Sequence, residues 1–250
     1  ALLPDVMPSS DTFEVEREAC CARLEHQLRE KGAIPAAASL VIFGSSKNSF
    51  GSAGADLDMS LQFARGQDAL TQEQKEGLVT AVAEALPSLG MEEVESRSTA
   101  RIPICMFVDP VTGLHCDISC GNPLAIRNTR LLRAYGRIDD RVRMLAFVIK
   151  YWAKRRQINS PQFSTLSSYG YLLCLIHFLQ TRSPPLVPNL QCLSKHWQYK
   201  DKGPGCGGFE PEMVRGLQSG GPASPDAAPF RTQVGTRKPI YPYFYDPEEY

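Results

Sequence analysis

Two periods of apolar and polar positions run along this chain. Leu40-Val41-Ile42-Phe43 is an unbroken apolar run of strand length and reads as buried β-structure. From Leu57 to Phe63 the period is two, with Leu57, Met59 and Leu61 in one phase and Asp58, Ser60 and Gln62 in the other. Residues 91–96, 101–108 and 114–119 also read as strands, and Asp109-Pro110-Val111-Thr112-Gly113 reads as a hairpin connection between the last two. A helical period governs 11–31, where Phe13, Ala19, Leu24 and Leu28 are the inward candidates and Gly32 the stop. It returns at 71–86. From Asn122 the pattern turns mainly helical, over 123–134, 139–155 and 166–180, with 171–179 apolar enough to be core. Ser183-Pro184-Pro185 then breaks it, and 202–231 is rich in Gly and Pro. The expected fold class is α+β: a mixed sheet with helices over 33–121, then a mainly helical second domain over 122–250.

Chemistry enters at the end of the first strand. Gly44 permits a sharp turn, and Ser45 and Ser46 offer hydroxyls and backbone N–H groups to an anion. A short helix over 46–50 would add its N-terminal dipole. Ten residues on, Asp56 and Asp58 share the polar phase of the next strand, so both carboxylates point one way. The strand at 114–119 can lie beside it and bring Asp117 to the same place. Three carboxylates gather only around strong cations, since like charges repel. Two Mg²⁺ or Mn²⁺ ions roughly 3.5–4 Å apart would suit these oxygen ligands. Each piece alone has a bland reading, as a solvated strand face, a turn or an edge charge. The order and spacing of all three favour the metal site.

These residues resemble the signature of the nucleotidyltransferase superfamily. Asn122-Pro123-Leu124-Ala125-Ile126-Arg127-Asn128-Thr129, Lys150-Tyr151-Trp152-Ala153-Lys154, Ser167-Ser168-Tyr169-Gly170 and Tyr245-Asp246-Pro247-Glu248-Glu249 narrow the likeness. They resemble the branch that holds the terminal uridylyltransferases and their poly(A) polymerase relatives, most of all the compact, editosome-associated uridylyltransferases of kinetoplastid mitochondria. The resemblance implies transfer of UMP from UTP to an RNA 3′ end, with Asp56, Asp58 and Asp117 on two metal ions. It implies that Gly44, Ser45 and Ser46 hold the triphosphate, and that Asn128, with Thr129 nearby, contacts the ribose and the pyrimidine. Lys150, Lys154 and Ser168 would hold phosphates, Tyr169 would stack on the base, and Asp246 and Glu249 would read the far edge of uracil. The nucleotide would lie in a cleft between the domains, and the N-terminal helix would pack back on the second one. Partners would be a single-stranded RNA 3′ end and an RNA-editing complex, and the location mitochondrial, with the cytoplasm as alternative. The Gly- and Pro-rich stretch 202–231 departs from the aromatic-rich helix usual there.

The residues support part of this independently. Lys150 and Lys154 are four apart on one helix and share a face, although a solvated basic face has the same spacing. Tyr169 at a helix start serves packing as readily as stacking. A turn set by Pro247 would account for Asp246 and Glu249. Read as binding groups, they accept from the N3–H of uracil, where adenine offers no donor. Rival readings are the same chemistry with ATP, a catalytically dead RNA- or partner-binding scaffold, and transfer to a small molecule.

Composition adds limits. The chain has 250 residues, 43% hydrophobic and 22% charged, with 27 basic against 27 acidic residues. No run of about 18 apolar residues argues for a membrane span. Binders of long duplexes carry a basic excess. Here the basic residues cluster over 127–156 and acids over 14–30 and 92–95, as suits a grip on an RNA end and a triphosphate. Of the eight cysteines no two have Cys-x₂-Cys spacing, which favours free thiols over zinc.

Overall fold

The computed structural model describes residues 10–63 and 70–191. Asp246, Glu249 and the 202–231 stretch lie outside the described residues. The chain divides into two compact units, Ala1–Val187 and Pro188–Tyr250, and the elements below belong to the first. They are α1 (Ser10–Glu30), β1 (Ala38–Phe43), β2 (Leu57–Phe63), α2 (Gln72–Ala85), β3 (Glu92–Arg97), β4 (Ile104–Asp109), β5 (Leu114–Cys120), α3 (Pro123–Ile138), α4 (Asp140–Arg155) and α5 (Ser168–Gln180).

Among the described residues the strands form one five-stranded sheet in the order β1-β2-β5-β4-β3. β2 and β5 pair in parallel, and the other neighbours are antiparallel. The mixed α+β class is therefore as the sequence predicts. Leu57, Met59 and Leu61 of β2 and Ile118 of β5 are fully buried, and they join Leu24 and Leu28 of α1 and Val79 and Val82 of α2 in one apolar cluster. At roughly 1.5–3 kcal/mol per buried aliphatic side chain, this cluster fixes the β2–β5 register. A one-residue slip would turn its apolar set to the opposite face.

Local chemistry sets the boundaries. Thr71 accepts from Gln74 N–H while the Gln74 side chain accepts from Thr71 N–H, a capping box at α2. Asn122, Asp139 and Ser167 cap α3, α4 and α5. In the β4–β5 hairpin, buried Asp109 accepts from Thr112 Oγ1 at 2.5 Å and from Val111 N–H, and it pairs with Arg23.

Three expectations change. Ala19 is exposed, and Arg17, Cys20 and Cys21 are the residues of α1 that turn inward with Phe13, Leu24 and Leu28. The helix expected over 46–50 is a single 3₁₀ turn, Gly44–Ser46, because Ser49 at φ +69 ends any helical path. The apolar stretch 171–179 is amphipathic in position: Leu172, Leu175, Ile176 and Leu179 are buried, while Leu173 and Phe178 are exposed. Among the described residues no helix is long and apolar enough to cross a membrane.

Candidate active site

Asp58 of β2 and Asp117 of β5 are register partners on adjacent parallel strands. Neighbouring strands lie about 4.8 Å apart, so the two carboxylates leave the backbone side by side. Asp56 stands two residues ahead of Asp58, exposed just before β2 begins. Phe43 of β1 pairs with Asp58 on the other side, which brings the Gly44 turn over the acids. A Cβ on Gly44 would lie 2.2 Å from Asp58 Oδ2, and its φ of +69 is also one that favours glycine. Ser45 N–H donates to the Asp58 carboxylate.

The electrostatics follow. Burial, then the charges of Asp117 and Asp56, push the Asp58 carboxyl up to about 7, and the Ser45 N–H only partly opposes this. Burial and Asp56 raise Asp117 as well, with Arg97 and His115 pulling it down. Among the described residues, no three His, Cys, Asp or Glu side chains stand at metal-holding spacing. Anions that repel one another at this cost are nonetheless a donor set that a cation would complete. All three are hard oxygen ligands, which fits Mg²⁺ or Mn²⁺ rather than a soft metal.

The remaining residues divide by what their polar atoms already hold. Ser46 is 2% exposed, its Oγ donating to Asp56 O at 2.7 Å and accepting from Arg17 Nε at 3.1 Å. Its hydroxyl braces the loop instead of facing outward. Thr129 is buried, accepts from Gly44 N–H at 2.8 Å and donates to Ala125 O at 2.7 Å, so it ties the turn to α3. Asn128 is half-buried one residue earlier. Lys150 donates to Phe50 O at 2.5 Å, and burial beside Lys154 brings its ammonium down to about 8. Lys154 is exposed one turn on. Ser168 Oγ accepts from Asn159 Nδ2 at 3.3 Å. Tyr169 is 36% exposed in the first turn of α5, its hydroxyl raised by burial. The structure thus gathers Gly44, Ser45, Asp56, Asp58 and Asp117, and it joins Thr129 and Lys150 to the same loop.

Arg17 escapes the sequence analysis. It is 2% exposed, stacks on the Phe13 ring at 3.6 Å, and donates to Ser46 Oγ, Ala53 O at 3.3 Å and Ala55 O at 2.8 Å. It therefore holds both ends of the loop that carries Asp56. No spacing signals this, because an Arg in an amphipathic helix ordinarily faces water.

A mixed sheet with paired acids beside a Gly-Ser turn defines a nucleotidyltransferase-type fold, and comparisons place the chain within it. Residues 2–137 match the family model described as poly(A) RNA polymerase, mitochondrial-like, central palm domain, and the chain belongs to that family. It is 34% identical over 226 residues to poly(A) RNA polymerase GLD2 of Danio rerio, covering 90% of this chain and 42% of that one. It is 40% identical over 155 residues to human terminal uridylyltransferase 4, covering 62% of this chain and 9% of that one. A Cid1 structure described by its RNA terminal uridylyl transferase activity aligns at TM-score 0.66 and 33% identity, over 79% of this chain and 56% of that one. The chain thus spans less than two thirds of the length of each of these relatives.

Proposed function

We propose that the protein is an RNA terminal uridylyltransferase. In this reaction the 3′ oxygen of an RNA strand forms a bond to the α-phosphorus of UTP, the bond to pyrophosphate breaks, and the strand grows by one UMP. The observation that carries the reading is the side-by-side register of Asp58 and Asp117 beneath the Gly44–Ser45 turn. Asp56, Asp58 and Asp117 would hold two divalent ions, whose chemistry is to activate the hydroxyl and neutralise charge on the leaving group. The protein's own groups do the rest. Asp117 is placed to hold the proton-losing 3′ oxygen's side of the site, and Lys150 and Lys154 offset the negative charge of the departing pyrophosphate. Gly44 lets phosphate approach the backbone, Asn128 meets the ribose, and Tyr169 offers a flat ring to the base, worth about 1–3 kcal/mol.

Preference for UTP rests on Asp246 and Glu249, acids able to accept from uracil N3–H, and steep discrimination follows when such a group is left unpaired. The second reading, ATP-dependent poly(A) addition, draws on the likeness to the zebrafish GLD2 polymerase. An RNA primer offered each of the four nucleotides with Mg²⁺ separates them. UMP addition should dominate, and Asp246→Ala should weaken that dominance. Equal or better use of ATP selects the second reading. Loss of all transfer in Asp117→Ala is expected, and undiminished transfer by that variant would refute the site itself.

A further inference from the structure

A polar cavity of about 300 Å³ lies among α1, the loop after β1, the end of α3 and the start of α4. Three arginines line it, Arg133, Arg137 and Arg143, against two acids, Glu14 and Asp140. None of these belongs to the carboxylate site. The charges do not cancel locally. Glu14 is already shared by Arg133, which grips both its oxygens at 3.1–3.2 Å, and by Lys47 at 3.3 Å. Asp140 is then the one lining acid left to set against Arg137 and Arg143. The Arg143 Nε is buried with no hydrogen-bond partner, a state that costs about 1–3 kcal/mol unless something accepts from it.

The wall is shaped for this. Gly136 stands where a Cβ would meet the Phe50 ring at 3.2 Å and the Arg143 stem at 3.6 Å, so its bareness admits the arginine against α3. Arg143, Lys150 and Lys154 fall at i, i+7 and i+11 and share one face of α4. A cationic stripe therefore runs from the cavity toward the lysines already considered for phosphate. Guanidinium forks match phosphate oxygens better than any other common anion site.

We propose that this cavity is a second anion site, taking a phosphate group of a nucleic-acid strand or of a free nucleotide. It stands apart from the transferase reading, because no group at Asp56, Asp58 or Asp117 takes part. The test is calorimetric titration of the full chain in EDTA, which removes divalent ions from the carboxylates. The probes are inorganic phosphate, pyrophosphate and a short oligouridylate lacking terminal phosphates. Arg143→Gln should weaken at least one probe by about tenfold or more, and Arg143→Lys should restore part of that loss. Loss confined to the oligouridylate assigns a strand phosphate. Loss for phosphate or pyrophosphate assigns a free anion. Equal binding of every probe by wild type and a folded Arg143→Gln overturns the proposal, as does the absence of any binding. Should Arg143→Gln fail to fold, Arg137→Gln is read by the same criteria.

Discussion

Gly44 and Asp58 approach so closely that a single methyl on the glycine would fall 2.2 Å from the carboxylate oxygen. Gly44→Ala therefore has to move either the turn or the acid. Misplacement of reacting groups by about 1 Å costs about 100-fold in rate. The expected outcome is a folded protein whose incorporation of labelled UMP falls by at least about 100-fold. Circular dichroism checks the fold and primer extension checks the rate, and wild-type transfer by the variant would remove the glycine from the site.

Asp58 makes stability depend on pH. With its carboxyl near 7 in the folded protein and near 4 in the unfolded chain, the native state keeps a proton that the unfolded state has released. Stability thus falls as pH rises from about 4 to about 7, and it stays low above that. Asp58→Asn should flatten this loss and raise metal-free stability at pH 8 by on the order of 2–4 kcal/mol, with little change at pH 5. Mg²⁺ should stabilise the wild type at pH 8 and the variant much less. Melting curves with and without EDTA decide, and identical pH profiles for the two proteins would count against the raised carboxyl.

Lys150 works in the opposite direction. Burial brings its ammonium to about 8, so the free enzyme loses that charge as pH rises past this point. kcat/KM for the nucleotide should fall above about pH 8. Lys150→Met should lower kcat/KM at neutral pH and abolish the alkaline limb. A limb that persists in the variant belongs to another group.

Arg17 gives a prediction that a merely structural arginine would not. Lys keeps the charge but not the fork that reaches Ser46, Ala53 and Ala55 together. Arg17→Lys should raise the Mg²⁺ concentration needed for half-maximal transfer severalfold, since the loop bearing Asp56 is less constrained. Arg17→Met should also destabilise by about 2–4 kcal/mol. A Lys variant that loses stability while keeping its Mg²⁺ dependence would make the residue scaffolding only.

Much of this was legible in the sequence, for physical reasons. The period-two alternation of Leu57, Met59 and Leu61 put Asp58 on the opposite phase, and the structure shows those three fully buried. Thr71, Asn122, Asp139 and Ser167 announced their helices as caps. What stayed hidden depends on contacts far apart in the chain. Ser46 and Thr129 read as ligand hydroxyls, yet the fold spends them on Asp56 O and Gly44 N–H. Arg17 reaches the loop across 29 to 38 residues. The exposed flank of α5 at Leu173 and Phe178 was invisible because an apolar run does not say which neighbour covers it.

The raised carboxyl of Asp58 has a consequence for anyone hardening this protein against heat. A library screened for survival alone would discover Asn at position 58 early and reward it. The winners would be sturdy and inert, since the discomfort they relieve is what makes the fold hungry for its ions.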